Sequence, residues 1–378
     1  MNRKIIWAIV LSLFLVLVFF CIFYYIAFYC GSDLPEHARF AILNLSEGDF
    51  FKGNFLLYFL MNVCSGFSYS KSHTLIALCF LLSASKVFLF WISFLYLKVK
   101  LGKLLSFAIS ISLLIVTVVS FNLFLGHFTF YLGYLVPNVW HNSTIIFSMP
   151  FCLLIYINSL TVLEKVQLNQ VIYLTFLVLI CVMIKPSFFF VYSCSFSLIV
   201  LCKFWPNIKK ILLLHIPIVI GLLGVLYQYL TIYDGSDGSS VIIGLPSPPS
   251  WHKYWSVYGL YVLVSLAFPL SFFVLNYKRI KLNCEFWLVC LMLLFSIFIV
   301  LVFREAGVRA NHGNFYWQII PSMWIMFFYV LKEEFDFIKI RLVTIRNKCH
   351  AFLLGYYVLA FVFGLIYMSY YFYSGIYY

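Results

Sequence analysis

Ile5-Ile6-Trp7-Ala8-Ile9-Val10-Leu11-Ser12-Leu13-Phe14-Leu15-Val16-Leu17-Val18-Phe19-Phe20-Cys21-Ile22-Phe23-Tyr24-Tyr25-Ile26-Ala27-Phe28-Tyr29 carries no charge from end to end. About 20 apolar residues suffice for a helix to cross ~30 Å of hydrocarbon, so this stretch reads as a spanning helix. Met1-Asn2-Arg3-Lys4 precedes it, as in a signal peptide. The apolar run is too long for a signal core, and no small-residue cleavage site follows it. The expectation is an uncleaved first span.

The rest of the chain repeats the theme. Apolar residues make up 65% of the 378 and charged ones only 10%, with a mean hydropathy of +1.04. Soluble domains carry roughly 25% charge, so the fold class expected is all-α: a polytopic integral membrane protein with about eleven transmembrane helices. Outer-membrane barrels are excluded, because their strands alternate over ~10 residues. After the first span, further spans are predicted at 74–97, 104–124, 144–163, 171–184, 188–202, 211–230, 257–276, 286–303, 316–331 and 351–373. Phe55 to Cys64 is apolar but too short to cross, which suggests an amphipathic helix in the interface. Residues 1–378 form one transmembrane domain, with outer loops at 30–73, 125–143, 231–256 and 304–315.

Charge orients this scheme. Of the 25 lysines and arginines, 17 lie in the N-terminus or after even-numbered spans, seven lie on the other face, and Lys86 falls inside the second span. The positive-inside rule then puts the N-terminus in the cytoplasm. The net charge of +13 therefore follows the membrane and implies no nucleic acid. Lys86 is either a functional charge or a sign that its span lies elsewhere. The eleven cysteines include no C-x-x-C and read as small buried hydrophobes, with a Cys30–Cys64 bridge as an alternative.

The polar residues gather on the outer loops. Four of the 12 carboxylates, Asp33, Glu36, Glu47 and Asp49, fall just after the first span, beside His37 and Arg39. Ionisable groups at a membrane are costly and mark candidate sites. The second loop adds His127 and Pro137-Asn138-Val139-Trp140-His141-Asn142-Ser143-Thr144, and the turn Lys185-Pro186-Ser187 adds a lysine. The last loop adds Arg304, Glu305, Arg309, His312, Asn314 and Trp317. Such a set suits transfer of a sugar from a lipid phosphate. A carboxylate can take the acceptor hydroxyl's proton, arginines bind phosphate oxygens bidentately, and aromatics stack on sugar rings.

Plainer roles compete for the same residues. Asp33 with Glu36 at N3 fits a capping box, and Glu47 and Asp49 fit a solvated turn. Arg304 and Glu305 fit mutual neutralisation. His127 fits an interface aromatic, and Trp140 and Trp317 fit an aromatic belt. Lys185 fits snorkelling to the interface. Asn44-Leu45-Ser46 and Asn142-Ser143-Thr144 match a glycosylation sequon. No Walker loop, G-x-G-x-x-G, G-x-S-x-G or H-E-x-x-H occurs, so nothing points to an ATPase, a protease or a redox enzyme.

An uncleaved first span followed by Asp33-x-x-Glu36-His37 in the first outer loop resembles the GT-C class of membrane glycosyltransferases. Trp140-His141-Asn142-x-Thr144, Lys185-Pro186-Ser187-Phe188 and His312-Gly313-Asn314-Phe315-x-Trp317 look like stretches of membrane proteins from bacterial surface-polysaccharide loci, O-antigen polymerases among them. The resemblance implies a bacterial inner-membrane enzyme acting on the periplasmic face. Its partners would be a polyprenyl-(di)phosphate-linked sugar donor, a glycan acceptor, the lipid bilayer and other polysaccharide-assembly proteins. Asp33 or Glu36 would be the base, with no organic cofactor and a divalent metal at Asp33/Glu36 as an option. His37, Arg39, His141, Asn142, Lys185, Arg304, Glu305, Arg309, His312 and Asn314 would hold sugar and phosphate. A single-sugar transferase, a lipid-linked sugar transporter and a structural membrane subunit remain open; a transporter would need polar residues along a path through the membrane.

Overall fold

The computed structural model describes residues 3–120, 133–232, 240–244, 255–307, 314–341 and 348–377. The described residues form thirteen α-helices and one two-stranded ribbon. Helix α1 is Arg3–Tyr29, α2 Leu34–Glu47, α3 Phe55–Cys64, α4 Lys71–Leu101 and α5 Lys103–Leu113. Then come α6 Ser143–Glu164, α7 Leu168–Ile184, α8 Ser187–Phe204, α9 Ile208–Ile232, α10 Trp255–Ile280, α11 Cys284–Val302, α12 Ile319–Arg341 and α13 Lys348–Ser374. Eight of them, α1, α4, α6, α8, α9, α10, α11 and α13, are long and apolar enough to cross a membrane. An all-α multi-pass membrane protein is therefore what the chain builds. Strands β1 Ser240–Ile243 and β2 Phe303–Ala306 pair antiparallel, with Val241 opposite Glu305, and tie two loops together.

Local chemistry sets the helix ends. The Asn142 Oδ1 accepts from the Ile145 N–H at 3.1 Å and starts α6, and the Asn283 Oδ1 accepts from the Glu285 N–H at 2.8 Å and starts α11. Both are side-chain N-caps satisfying otherwise unpaired amides. Helix α2 closes on Gly48 in the left-handed region (φ 69°), where the Gly48 and Asp49 N–H groups donate to the Leu45 and Asn44 carbonyls. That pair of bonds is a Schellman ending. The short apolar segment is a helix over the expected residues, Phe55–Cys64, packed against α2, α4 and α7.

Three expectations need correcting. Within the first loop residues 34–47 are helical, so the inter-span segment is longer in helix than Phe55–Cys64 alone. The cysteines 30 and 64 are both free, as are all eleven. Of the span expected at 104–124, the described residues give only eleven residues of helix, Lys103–Leu113, after which the chain leaves the helix and stays buried from Val116 to Ser120, the last residues of the expected span lying outside the described ones. Irregular backbone at membrane depth survives only where protein satisfies it, and here side chains do so. Asn138 Nδ2 donates to the Leu113 and Val116 carbonyls, both at 2.9 Å. Trp324 Nε1 donates to the Leu113 carbonyl at 2.9 Å, and Thr117 N–H reaches the Ala360 carbonyl at 3.4 Å. Lys86 explains itself at the same place. Its ammonium donates to the Leu114 carbonyl at 3.4 Å and Asn138 Oδ1 at 3.3 Å, and lies 4.4 Å from the Trp140 ring. A cation belongs at a helix C-terminus, where the dipole is negative, and over an indole face.

The charged stretch after Leu331 is likewise no loop. Helix α12 runs on to Arg341 and buries Lys332 and Glu334 completely. Lys332 is paired with Glu285 of α11 and lies 3.2 Å from Glu333. The Tyr156 hydroxyl also donates to Glu285. Glu334 is paired with His350 of α13 and accepts from Asn276 of α10 at 3.5 Å. Desolvating charges costs several kcal/mol unless each is matched, and each of these is.

Candidate functional site

The site lies at the end of the bundle where α1 finishes and α6 begins. Ser85, fourteen residues into α4, donates to the Ile146 carbonyl at 3.0 Å. At 1.5 Å per residue, α4 therefore rises about 15 Å beyond the start of α6, and α2 and α3 pack on α4.

Asp33 is at the N-cap position of α2, but its side chain makes no capping bond. It turns instead to another helix. Oδ1 accepts from the Ser143 N–H at 3.3 Å, at the first residue of α6. Oδ2 lies 3.5 Å from His37 Nε2. The Asp33 N–H also donates to the His141 carbonyl at 3.3 Å. The first loop and the start of α6 are thus locked together through one carboxylate residue, which a helix N-terminus favours electrostatically.

Lys185, at the break between α7 and α8, reaches the same place. Its ammonium donates to Thr144 Oγ1 at 3.0 Å, and Thr144 donates in turn to Asn142 Oδ1 at 3.0 Å. The ammonium also lies 5.4 Å from the Trp317 ring. Burial pushes Lys185 down to about 8, against the pull of Asp33 and Glu305 in the other direction. His141 stacks on Tyr377 (4.0 Å, 20°) and meets Trp317 edge-on at 5.7 Å. Burial lowers it to about 4, with Asp33 opposing and Lys185 adding to the shift, so its ring is neutral at pH 7. Glu305 is buried on β2 and accepts from Asn314 Nδ2 at 2.8 Å.

One carboxylate, one ammonium, a neutral imidazole and a second buried carboxylate therefore converge from α2, the loop before α6, the α7–α8 break and the loop after α11. Glu36 and Arg39 do not join them through any contact of their own. They pair with each other at 2.8 Å on the exposed face of α2. Asn142 is consumed as the α6 cap and is buried. Arg309, His312 and His127 lie outside the described residues, and of Arg304 only the backbone position in β2 is described. Asp33 and Glu36 are engaged in different directions. Among the described residues, no three His, Cys, Asp or Glu side chains are grouped to hold a metal.

Sequence reading passed over three contributors. Tyr58 on α3 is 2.9 Å from His37 Nδ1. Tyr377 follows α13 back onto His141, where the Gly31 N–H donates to the Gly375 carbonyl at 2.7 Å. Tyr371 adds a bond from its hydroxyl to the Gly31 carbonyl at 2.7 Å. No signal in the sequence marks Tyr58 among 28 tyrosines. Compared with known proteins, the chain matches no protein-family model and no curated protein sequence significantly.

Proposed function

We propose that the chain is a membrane glycosyltransferase working at the periplasmic face of a bacterial inner membrane on polyprenyl-(di)phosphate-linked sugars, as a polymerase of O-antigen-like surface polysaccharide. The observation that carries this reading is the placement of Asp33: ionisable, oriented from two sides by Ser143 and His37, and near enough to Lys185 to act on its charge. Asp33 takes the proton of the acceptor hydroxyl. That oxygen bonds to the anomeric carbon, and the carbon–oxygen bond to phosphate breaks. The electron pair leaves with the phosphate, whose added charge the Lys185 ammonium stabilises. Arg304, Arg309 and His312 are assigned to the same leaving group, and His141, Trp317 and Tyr377 to the sugar. Deleting the gene in its native strain tests the proposal. Loss of the polysaccharide ladder, with single repeat units accumulating, is expected. Loss of one branch sugar alone would make the chain a single-sugar transferase, and an unchanged polysaccharide would refute both.

A second reading, a lipid-linked sugar transporter, draws on the buried Glu285–Lys332–Glu333 and Glu334–His350 pairs, since intramembrane charges often line a transport path. Purified protein in liposomes separates the two. A transferase makes new glycosidic bonds, and a transporter makes none.

A further inference from the structure

His37 stands between two groups that fix which of its nitrogens carries the hydrogen. Nδ1 is 2.9 Å from the Tyr58 hydroxyl, and Nε2 faces Asp33 Oδ2 at 3.5 Å. An ionised carboxylate only accepts, so the neutral ring presents its hydrogen to Asp33 from Nε2 and leaves Nδ1 as an acceptor. The donor to Nδ1 is the Tyr58 hydroxyl. The ring hydrogen then sits on Nε2 and points at the carboxylate, a tautomer assigned from its partners.

The supports are rigid. Tyr58 is 6% exposed on α3, and its ring packs against His37 at 5.7 Å and Phe40 at 6.4 Å. The other carboxylate oxygen is held by the Ser143 N–H, from a different helix. A carboxylate has about four lone-pair sites, and these two donors engage two of them. Orientation is fixed while acceptor capacity remains.

We propose that Tyr58 and His37 are positioning residues: the chain Tyr58 to His37 to Asp33 is directed one way, and it aims Asp33 at the acceptor hydroxyl. The purpose of the chain rests on Asp33 being the base; its existence and direction do not. Helix α3 thereby has a role beyond lying at the surface, because it delivers the tyrosine that sets the histidine.

The test uses the full chain in proteoliposomes with ring-15N-labelled histidine, and His37→Gln identifies the His37 signals by difference. The wild type is expected to give the Nε2–H tautomer alone, and Tyr58→Phe a mixture or the Nδ1–H form. Diethyl pyrocarbonate, which acylates an unprotonated ring nitrogen, gives a second readout by mass spectrometry, with exposed His73 as internal reference. Freed from Tyr58, His37 should react about fivefold faster, the factor an ordinary neutral hydrogen bond is worth. Because Tyr58→Phe keeps the ring, membrane yield should hold while turnover falls, a loss that packing alone would not cause. An Nδ1–H or doubly protonated ring in the wild type overturns the direction of the chain. An unchanged tautomer and rate in Tyr58→Phe overturns the chain itself. If both readouts behave as expected but Asp33→Asn keeps full turnover, the base assignment has failed and the positioning role falls with it, while the geometry stands.

Discussion

Two groups of charges sit about 20 Å apart along α12, by its rise per residue, and they are built on opposite plans. At one end, Glu285, Lys332 and Glu333, and then Glu334 and His350, meet in close ion pairs with tyrosine and asparagine filling in. At the other, Asp33 and Lys185 are held by backbone amides, a histidine and a threonine at 3.0–3.5 Å, beside stacked rings. A network whose valences are used up fastens helices. A cluster that orients charge without cancelling it keeps capacity for a ligand. The first plan costs stability when broken; the second costs activity.

The sharpest break would come from Asp33→Asn. The amide keeps shape and hydrogen bonding but takes no proton, so turnover should fall by a factor on the order of 10² to 10⁴ with normal membrane yield. Normal polysaccharide from this variant would make Asp33 a fastener like the other group. Next is Lys332→Met, which strands Glu285 and Glu333 in the interior. Breaking a buried pair from one side costs about 3–5 kcal/mol, read as a lost melting transition or failed expression. A variant with wild-type melting would show the inner network to be spare capacity as well.

Lys185 offers a test with two opposed signs. Its charge is needed for phosphate but disfavoured by burial, and it is lost above about pH 8. Activity should therefore decline as pH rises through 8. Stability should do the reverse: the unfolded lysine, titrating near 10.4, binds more protons between about 8 and 10.4, so folding strengthens with pH there. Lys185→Arg should move the activity limb upward, and an unmoved limb would assign it to another group. The smallest effect expected is from Glu36→Gln. An exposed pair such as Glu36–Arg39 contributes about 0.2–1 kcal/mol, so ladders and melting should stay near wild type. A large loss of activity would move the base from Asp33 to Glu36.

The helices were more legible than the number of spans, eight of the described helices being long and apolar enough to cross against about eleven expected, because apolar length and terminal lysines are local signals. Residues 144–163, 171–184 and 286–303 lie within two or three residues of α6, α7 and α11. What failed was non-local. Nothing between Leu104 and Phe124 announces a break, because the groups that receive the freed carbonyls are Asn138 and Trp324, far along the chain. Lys332-Glu333-Glu334 reads as a loop until Glu285 and His350 are known to face it. The start of helix α2 was legible in the Asp33–Glu36 spacing, and Pro35 and Gly48 punctuate its ends as well. Within the site, separate loops were expected to meet, and Asp33, His141, Lys185 and Glu305 do. The capping role that competed for Asp33 is not taken up, because its partner, the Ser143 amide, is 110 residues away.

The unwound stretch after α5 also sets a schedule for biogenesis. Its backbone is completed by Trp324 of α12 and the Ala360 carbonyl of α13, and Gly364 of α13 comes so close that an added Cβ would lie 2.2 Å from the Ile115 carbonyl oxygen. These partners are made more than 200 residues after the segment they serve. Asn138 follows within 25 residues and can serve the Leu113 and Val116 carbonyls early. The indole bond to Leu113 and the acceptor for the Thr117 N–H exist only after α12 and α13 are made, and an unmet backbone group in lipid costs several kcal/mol. The turn is therefore completed in two stages, the second of them late.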